Sequence, residues 1–455
     1  MQDIKENVIA SYEFGDSDLL DVSKLKRLKE VFTKKIVEIL GMEIPSISEE
    51  DKKILAGLLV HEMLGLGVIE VLIDDPQLEE IVVNNASENV WVYHKNYGWL
   101  KTNVKLSSED EIYNYAQKIG RGVGKEITTL NPLMDAHLIS GDRVNASLFP
   151  ISTKGGTLTI RKFRRQPWTI TDLIKKGSIS YEVAAFIWVC MEYEISLIVS
   201  GGTASGKTSF LGAILPFIPP NQRVISIEDT REIQLPKFLH WVPLTTRTPN
   251  PEGKGGVTML DLLVNSLRMR PDRIVVGEIR RKKEAEVLFE AMHTGHSVYA
   301  TLHADTAEQT TRRLTSPPID LPPEEIETLP LIIVMYRHRR EKKRRLFQVA
   351  ELVGAREGEE EIGINEIFKW DPVDDTIRAE NESIRIINEL RLHSGMDEIE
   401  LKEEIKRRVE ILRWMVENDV RTVDEVGKVV SEFYYDKEKV YSMIKKKIKP
   451  EELLK

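Results

Sequence analysis

A glycine-rich turn carries the residues best suited to hold phosphate. Residues 201–208 read Gly-Gly-Thr-Ala-Ser-Gly-Lys-Thr and fit the pattern G-x-x-x-x-G-K-[ST]. The turn follows the apolar run 195–200 and precedes a stretch compatible with a helix, so backbone N–H groups and a helix dipole would converge on one anion. We expect Lys207 to reach the β- and γ-phosphates and Thr208 to ligate Mg²⁺. The candidate nucleotide-binding residues are Gly201, Gly202, Thr203, Ala204, Ser205, Gly206, Lys207, Thr208 and Ser209.

Two carboxylates follow apolar segments further along the chain. Glu228 ends the predicted strand 223–228, and Glu278 ends the predicted strand 273–278. Ligands bind at the carboxyl ends of strands in parallel sheets, so both acids are expected beside the phosphate loop. Phosphoryl transfer to water needs one group near the hydrated Mg²⁺ and one that orients or deprotonates the nucleophile. Two acids at neighbouring strand ends could divide those tasks, although such an acid is often only a solvated turn residue or helix cap.

Three histidines fall within eleven positions, at His293, His296 and His303. Their spacing does not match a structural zinc pattern, and no cysteine accompanies them. We expect His303, which follows the predicted strand 297–302, to sense the γ-phosphate. The case for His296 is weaker, and His293 is interpreted as structural.

Arginines are candidates because a planar, permanently charged donor stabilises the charge that develops on a transferring phosphoryl group. Arg143 and Arg161 precede the phosphate loop, and Arg231 lies close to Glu228 in sequence. If the first two reach the nucleotide from a preceding domain, hydrolysis and domain closure become coupled. Any of the three could instead be an inert surface residue.

The elements that position these residues alternate in the second half of the chain, and strands that alternate with helical patterns indicate a mostly parallel sheet covered by helices. The predicted fold class is α/β: a P-loop NTPase core with a preceding α+β domain and helical segments at both ends. The expected divisions are a small helical domain at 1–70, an α+β domain at 71–165, a linker at 166–175, the nucleotide-binding domain at 176–375 and a helical tail at 376–455.

The composition bounds the class of protein. The chain has 455 residues, of which 41% are hydrophobic and 30% charged, and we expect two or three globular domains. A net charge of −9 argues against a general nucleic-acid binder. Cys190 is the only cysteine, which fits a reducing cytosol. No secretory signal or bilayer-spanning run is apparent. We therefore expect a cytoplasmic protein that reaches the inner face of a membrane through a partner.

Four motifs together resemble the secretion ATPase superfamily, which drives type II secretion, type IV pili and the archaellum. The resemblance covers about residues 60–375 and includes a RecA-like core. In the order of the family, the motifs are the Walker A loop at 201–208, an Asp box at 227–232, an unusual Walker B at 277–280 and a His box at 294–305.

The resemblance implies roles for several residues. Glu228 becomes the candidate general base, and Glu278 lies near Mg²⁺, which it holds through water. The segments 141–145 and 159–163 resemble the family's arginine-finger stretches, so the nucleotide would lie between two domains. The family also implies ATP as the substrate, a homo-hexameric ring and an integral-membrane platform protein as partner.

Bacterial type II secretion ATPases usually carry a four-cysteine zinc insertion, which a chain with one cysteine cannot build. The chain therefore looks more like the archaeal branch of the superfamily. An archaellum motor, a pilus-assembly ATPase and a protein-export ATPase stay open within that branch.

Two rival classes remain. One is a RecA-like nucleic-acid translocase, which the acidic charge disfavours, and the other is a non-catalytic scaffold that only binds nucleotide. The basic run 337–345 also has two interpretations. It lies between two predicted strands and is expected to form a solvated hairpin turn. Alternatively, it is a docking patch for an acidic membrane partner or anionic lipid.

Overall fold

The chain divides into two units, Met1–Arg164 and Arg165–Lys455. The computed structural model describes residues 4–5, 7–8, 22–138, 140–163, 166–249, 253–354 and 362–454. Parts of the expected helical domain at 1–70 lie outside the described residues. The exact domain limits stay a prediction.

The first unit begins with helices that bury their own small core. The helices are α1 (Val22–Glu43), α2 (Glu49–Leu64) and α3 (Val68–Asp74). The apolar face of α1 places Phe32, Ile36 and Leu40 against Ala56 and Leu59 of α2. This 3.6-residue spacing is the pattern that predicted helix here.

A six-stranded antiparallel sheet completes the first unit, with strand order β3-β2-β1-β6-β5-β4. Helix α4 (Glu109–Gly122) begins at Ser108, whose hydroxyl accepts the Glu111 N–H, and it buries Ile112 and Ala116 in the core that it shares with the sheet. The strands are β1 (Leu78–Val83), β2 (Asn89–His94), β3 (Gly98–Lys105), β4 (Leu133–His137), β5 (Arg143–Ser147) and β6 (Thr157–Arg161).

The second unit is built on a nine-stranded sheet, with strand order β15-β14-β13-β12-β7-β11-β10-β8-β9. The six strands from β12 to β9 pair in parallel, and β12 to β15 pair antiparallel. The strands are β7 (Leu197–Gly201), β8 (Val224–Glu228), β9 (Trp241–Thr245), β10 (Arg273–Val276), β11 (Ser297–Leu302), β12 (Leu331–His338), β13 (Lys343–Val353), β14 (Gly363–Asp371) and β15 (Thr376–Ala379).

The central strands β7, β8, β10 and β11 are buried at every position, because helices cover both faces of the sheet. This confirms the predicted α/β class. The helices are α5 (Ile170–Lys175), α6 (Tyr181–Glu192), α7 (Lys207–Ile214), α8 (Met259–Leu267), α9 (Lys282–His293), α10 (Ala307–Thr315), α11 (Pro323–Ile326), α12 (Arg385–Ser394), α13 (Glu398–Glu417), α14 (Val423–Tyr435), α15 (Lys437–Lys445) and α16 (Glu451–Leu454).

Two stretches differ from the expected layout. The expected linker contains helix α5, which buries Ile170 and Leu173 because Thr169 caps its start and its apolar side meets the core. The expected tail begins with strand β15, and its helices α13 and α14 share one hydrophobic core with α6 and α7.

The described segments contain no single helix that is long and apolar enough to cross a membrane. Helices α2 and α3 pass the length and composition criteria only as a pair, and that pair is bent by 103°.

Candidate active site

The phosphate loop joins strand β7 to helix α7, as the motif predicts. Gly206 caps the helix with a left-handed backbone, φ 95°, which a residue with a Cβ rarely adopts. A Cβ on Gly201 would collide with the carbonyl of Met335, so strand β12 passes directly beside the start of the loop. The hydroxyl of Ser205 is buried in this turn and has no hydrogen-bond partner within the described part of the chain.

Lys207 is only 8% exposed and lies inside the loop. Its ammonium donates to the carbonyls of Gly201 at 2.9 Å and Gly202 at 3.2 Å. Burial lowers the pKa of this ammonium, and the nearby carboxylates of Glu278 and Asp305 oppose that effect. Lys207 therefore places its ammonium inside the loop, where the motif predicts that the lysine binds phosphate.

His303 bridges Lys207 and Glu278. Its Nδ1 lies 3.2 Å from Lys207 Nζ, and its Nε2 lies 3.1 Å from Glu278 Oε1. An ammonium can only donate and a carboxylate can only accept, so a neutral imidazole with its proton on Nε2 satisfies both contacts. Burial, followed by the charge of Lys207, lowers the pKa of His303, which favours the same neutral form. The ring therefore links the phosphate loop to the end of β10.

Glu228 ends the neighbouring strand and is 2% exposed. Its Oε1 accepts the backbone N–H groups of Glu232 at 2.9 Å and Ile233 at 3.1 Å. Its Oε2 is buried without a partner among the residues described. Burial raises the pKa of Glu228 to about 7, despite the two N–H donors. A carboxylate with one fixed oxygen and one free oxygen suits proton transfer near neutral pH.

The two acids lie at adjacent strand ends because β8 and β10 pair in parallel, with Ile227 opposite Val276. Gly277 packs closely against Glu228, since a Cβ added at position 277 would lie 3.4 Å from Glu228 Cγ. The structure thus brings Lys207, His303, Glu278 and Glu228 to one edge of one sheet.

Arg280 links the segment that carries Glu278 to the segment that carries Glu228 through side-chain hydrogen bonds. Its Nη2 donates to Glu278 Oε2 at 2.6 Å, and its Nη1 donates to Asp229. Asp229 also accepts from the Thr246 hydroxyl at 3.1 Å. These contacts fix the orientation of Glu278, whose other oxygen faces His303.

Sequence reasoning assigned no role to two residues at the loop, Asp305 and Arg344. Asp305 lies so close to Gly202 that a Cβ there would be 2.7 Å from Asp305 Oδ1. Its position two residues after His303 was an available signal. Arg344, from strand β13, donates through Nε to the carbonyl of Ala204 at 3.1 Å. No local pattern could have separated Arg344 from the rest of the basic run.

The remaining candidates make other contacts, although the charge of Arg231 also acts to lower the pKa of Glu228. The ring of His296 contacts the Ala291 carbonyl at 3.3 Å, and His293 contacts the Thr328 hydroxyl. Arg231 lies over the ring of Trp241, with its guanidinium carbon 5.0 Å from the centroid. The described residues contain no group of three or more His, Cys, Asp or Glu side chains arranged to hold a metal ion.

Arg143 and Arg161 belong to the first unit. They lie directly opposite each other on the paired strands β5 and β6, and both are exposed. The two side chains therefore share one face of that sheet, on which Glu80 of β1 lies opposite Arg161. Their assignment as fingers stays a prediction.

The residues of the loop fit a nucleotide and its metal ion. Gly206, Lys207 and the buried Ser205 hydroxyl form a donor-rich turn at a helix start, which matches the needs of a phosphate chain. Thr208 is half-buried on the first turn of α7. Its hydroxyl and the Glu278 carboxylate offer the oxygen ligands that Mg²⁺ prefers.

Comparison with known proteins identifies the family of this chain. The chain matches the Type II/IV secretion system protein family over residues 62–397. It is 35% identical over 412 residues to an uncharacterised protein of Methanocaldococcus jannaschii, an alignment that spans 89% of this chain and 74% of that protein. It is 30% identical over 260 residues to the type IV secretion system protein PtlH of Bordetella pertussis, covering 52% of this chain and 76% of PtlH.

Among solved structures, the ATPase DotB of Legionella pneumophila superimposes with a TM-score of 0.45 at 20% identity, over 80% of this chain and 94% of DotB. The family match spans most of the chain, so the protein belongs to the type II/IV secretion system protein family. The resemblance inferred from the four motifs is confirmed.

Proposed function

We propose that this chain is an ATP-hydrolysing motor of a filament or secretion system. The observation that carries the proposal is the contact chain from Lys207 through His303 to Glu278, at 3.2 and 3.1 Å, beside the buried Glu228. A protein that only bound nucleotide would need the phosphate loop but not a carboxylate poised for proton transfer. The family membership supports the same conclusion.

Each residue has a proposed role in hydrolysis. The loop N–H groups and Lys207 would bind the phosphate chain, and Thr208 and Glu278 would hold Mg²⁺, the latter through water. Bound Mg²⁺ supplies charge that stabilises the phosphoryl group in transfer. Glu228 orients the attacking water and accepts its proton at Oε2. His303 reports the state of the γ-phosphate, because its ring contacts both Lys207 and Glu278.

We further propose that six chains form a ring in which Arg143 and Arg161 stabilise the transition state and couple turnover to movement of the domains. The expected partner is an integral-membrane platform protein at the cytoplasmic face. The similarity to the Methanocaldococcus jannaschii protein supports the archaeal branch. The filament would be an archaellum or a type IV pilus-like fibre, and protein export is the alternative, which the similarity to PtlH supports.

Phosphate release and nucleotide binding test the proposal directly. The purified chain with Mg²⁺ is expected to bind ATP and release phosphate. Lys207→Ala is expected to abolish release and weaken ATP binding, because Lys207 is the cation buried in the loop. Lys283→Ala, at an exposed position on α9, is the control. Wild-type protein that neither binds nor cleaves ATP would refute the proposal, and turnover stimulated by single-stranded nucleic acid would favour the translocase class.

A further inference from the structure

A basic hairpin forms one wall beside the phosphate loop. Strands β7 and β12 pair in parallel from Leu197 opposite Leu331 to Gly201 opposite Met335. Strand β7 then turns into the loop, whereas β12 continues to His338 and returns as β13 from Lys343. The basic run 337–345 is therefore the predicted hairpin, and its arms extend past the edge of the sheet where phosphate is expected.

Arg344 is the residue of this hairpin that contacts the loop. Its Nε donates to the Ala204 carbonyl at 3.1 Å, and a Cβ on Gly206 would lie 3.3 Å from its Cδ. The stem of Arg344 thus packs over the glycine that starts helix α7, at the point where the loop's N–H groups gather.

The charge of Arg344 is not neutralised by the fold. Its neighbours Lys343 and Arg345 both pair with Asp375, at 3.2 and 2.6 Å. Across the described residues, no carboxylate pairs with Arg344, and its side chain is exposed. Its Nε is bound to a carbonyl, which leaves both Nη groups of the planar fork for an anion.

The order of the strands tells which part of a nucleotide Arg344 would meet. His303 and Glu278 follow β11 and β10, and Glu228 ends β8. These three strands all lie on one side of β7. Arg344 lies on the opposite side, on β13. Since the cleaved γ-phosphate must lie toward the hydrolytic acids, the nucleoside end of the phosphate chain leaves toward the hairpin.

We propose that Arg344 is a nucleotide-binding residue that contacts the phosphates common to ATP and ADP, on the nucleoside side of the loop. The assignment rests on the proposed function, since it requires the loop to bind nucleotide. It gives part of the basic run a role that neither a solvated turn nor a docking patch would supply.

Isothermal titration with ADP and with a non-hydrolysable ATP analogue tests the assignment. Arg344→Gln keeps much of the side chain but removes the charge, and it is expected to weaken both ligands by about 10- to 100-fold, the range of a charge-assisted hydrogen bond. Arg344→Lys keeps the charge without the planar fork and should recover only part of the affinity. Arg340→Gln, exposed on the turn of the same hairpin, should bind both ligands as wild type does.

The outcomes are distinguishable. Wild-type affinity for both ligands in Arg344→Gln would overturn the assignment, as would loss of the ATP analogue with ADP binding intact, which would place the contact at the γ-phosphate. Unchanged nucleotide binding combined with lost binding to vesicles of anionic phospholipid would identify a docking residue instead. Failure of the wild-type chain to bind either nucleotide would refute the proposed function itself.

Discussion

At the residue scale, the two acids at adjacent strand ends have different surroundings. Glu228 is sequestered, has one oxygen without a partner within the described sequence, and has a pKa raised to about 7 by burial. Glu278 is held between His303 and Arg280. Environments that separate two carboxylates in this way divide the acid–base role from the electrostatic role.

Replacing Glu228 removes the proposed base without changing the size of the side chain. Glu228→Gln is expected to lower kcat by about 10²- to 10⁴-fold, the usual contribution of a positioned base. ATP affinity should stay close to wild type, because Glu228 lies on β8 and not on the loop. Steady-state phosphate release measures the first quantity and calorimetry the second. The exposed Glu286→Gln is the control, and full turnover in Glu228→Gln would exclude the base role.

The pH dependence follows from the same residue. Only the ionised carboxylate accepts a proton, and burial raises the pKa of Glu228 to about 7. We therefore expect kcat/KM to fall about tenfold for each pH unit below 7 and to level off above it. Rate measurements from pH 5.5 to 8.5 should show this limb in the wild type and lose it in Glu228→Gln. If the fall in kcat/KM at low pH persists unchanged in the variant, the titration of another group causes it.

His303 and His296 form a matched pair for testing the γ-phosphate sensor. His303→Gln is expected to lower kcat at least tenfold with a smaller effect on ADP affinity, because the ring contacts Lys207 and Glu278. His296→Gln should behave as wild type, since that ring contacts the Ala291 carbonyl and the Thr294 hydroxyl. Equal losses in both variants would point to a general effect on folding.

The positions of Glu228, Glu278 and His303 could be predicted, because each stands at or just after the end of a strand that its own apolar run identifies. Asp305 could have been predicted in the same way, because it lies two residues after His303 and shortly after the end of β11. The contact of Arg344 with the loop could not be predicted from the sequence. It joins Arg344 to Ala204, 140 residues away, and depends on the register of β12 against β7 and β13. A sequence pattern indicates which side chains are buried against a neighbouring layer of the fold. It does not show which hairpin packs over the phosphate loop.

At the scale of elements, the strands that prediction missed lie at the two ends of the nine-stranded sheet or next to an end. Strand β9 contains Pro243, which argues against a central strand but is tolerated at the sheet edge that β9 occupies. Strands β14 and β15 extend the sheet at its other end and bury only part of their side chains. The central strands were predicted to within a few residues, because burial on both faces makes them continuously apolar.

A buried charge cluster joins α13 to α6. The guanidinium of Arg408 is fully buried, donates to Glu404 at 2.7 Å and pairs with Glu192. Arg408→Ala would remove the buried partner of Glu192 and leave Glu404 with its contacts to Arg407 and Lys437, and it is expected to lower the free energy of unfolding by about 3–5 kcal/mol. Urea titration of the full chain measures the loss. Arg407→Ala removes a half-exposed arginine next to it, and the loss should stay below about 1 kcal/mol. Equal losses would contradict the structural role of Arg408.

At the scale of the whole molecule, the proposed catalytic residues and the proposed arginine fingers belong to different units. All of Lys207, His303, Glu278 and Glu228 lie in the second unit. The arginines of β5 and β6 lie in the first. A motor requires such a division, because movement needs two bodies whose arrangement depends on the nucleotide.

The finger hypothesis predicts a loss of catalysis without a loss of binding. Arg143→Ala combined with Arg161→Ala is expected to lower kcat by about 10³-fold or more, as for arginine fingers generally, with ATP affinity changed far less. Arg121→Ala, an exposed arginine on α4 of the same unit, is the control. Mass photometry with ATP should show an assembly of six chains for all three proteins. Unchanged turnover in the double variant would exclude both arginines.

The shared core of α6, α7, α13 and α14 has a practical consequence for locating the partner-binding surface. Truncating the chain after β15 would strip apolar cover from Trp188 and Phe217, which stack at 4.9 Å and pack against Phe433 and its neighbours. A shortened chain that failed to bind the proposed platform protein would therefore indicate collapse of the second unit and would not reveal a missing docking site. Surface point substitutions, not deletion mapping, are the means to locate the surface that binds the proposed membrane partner.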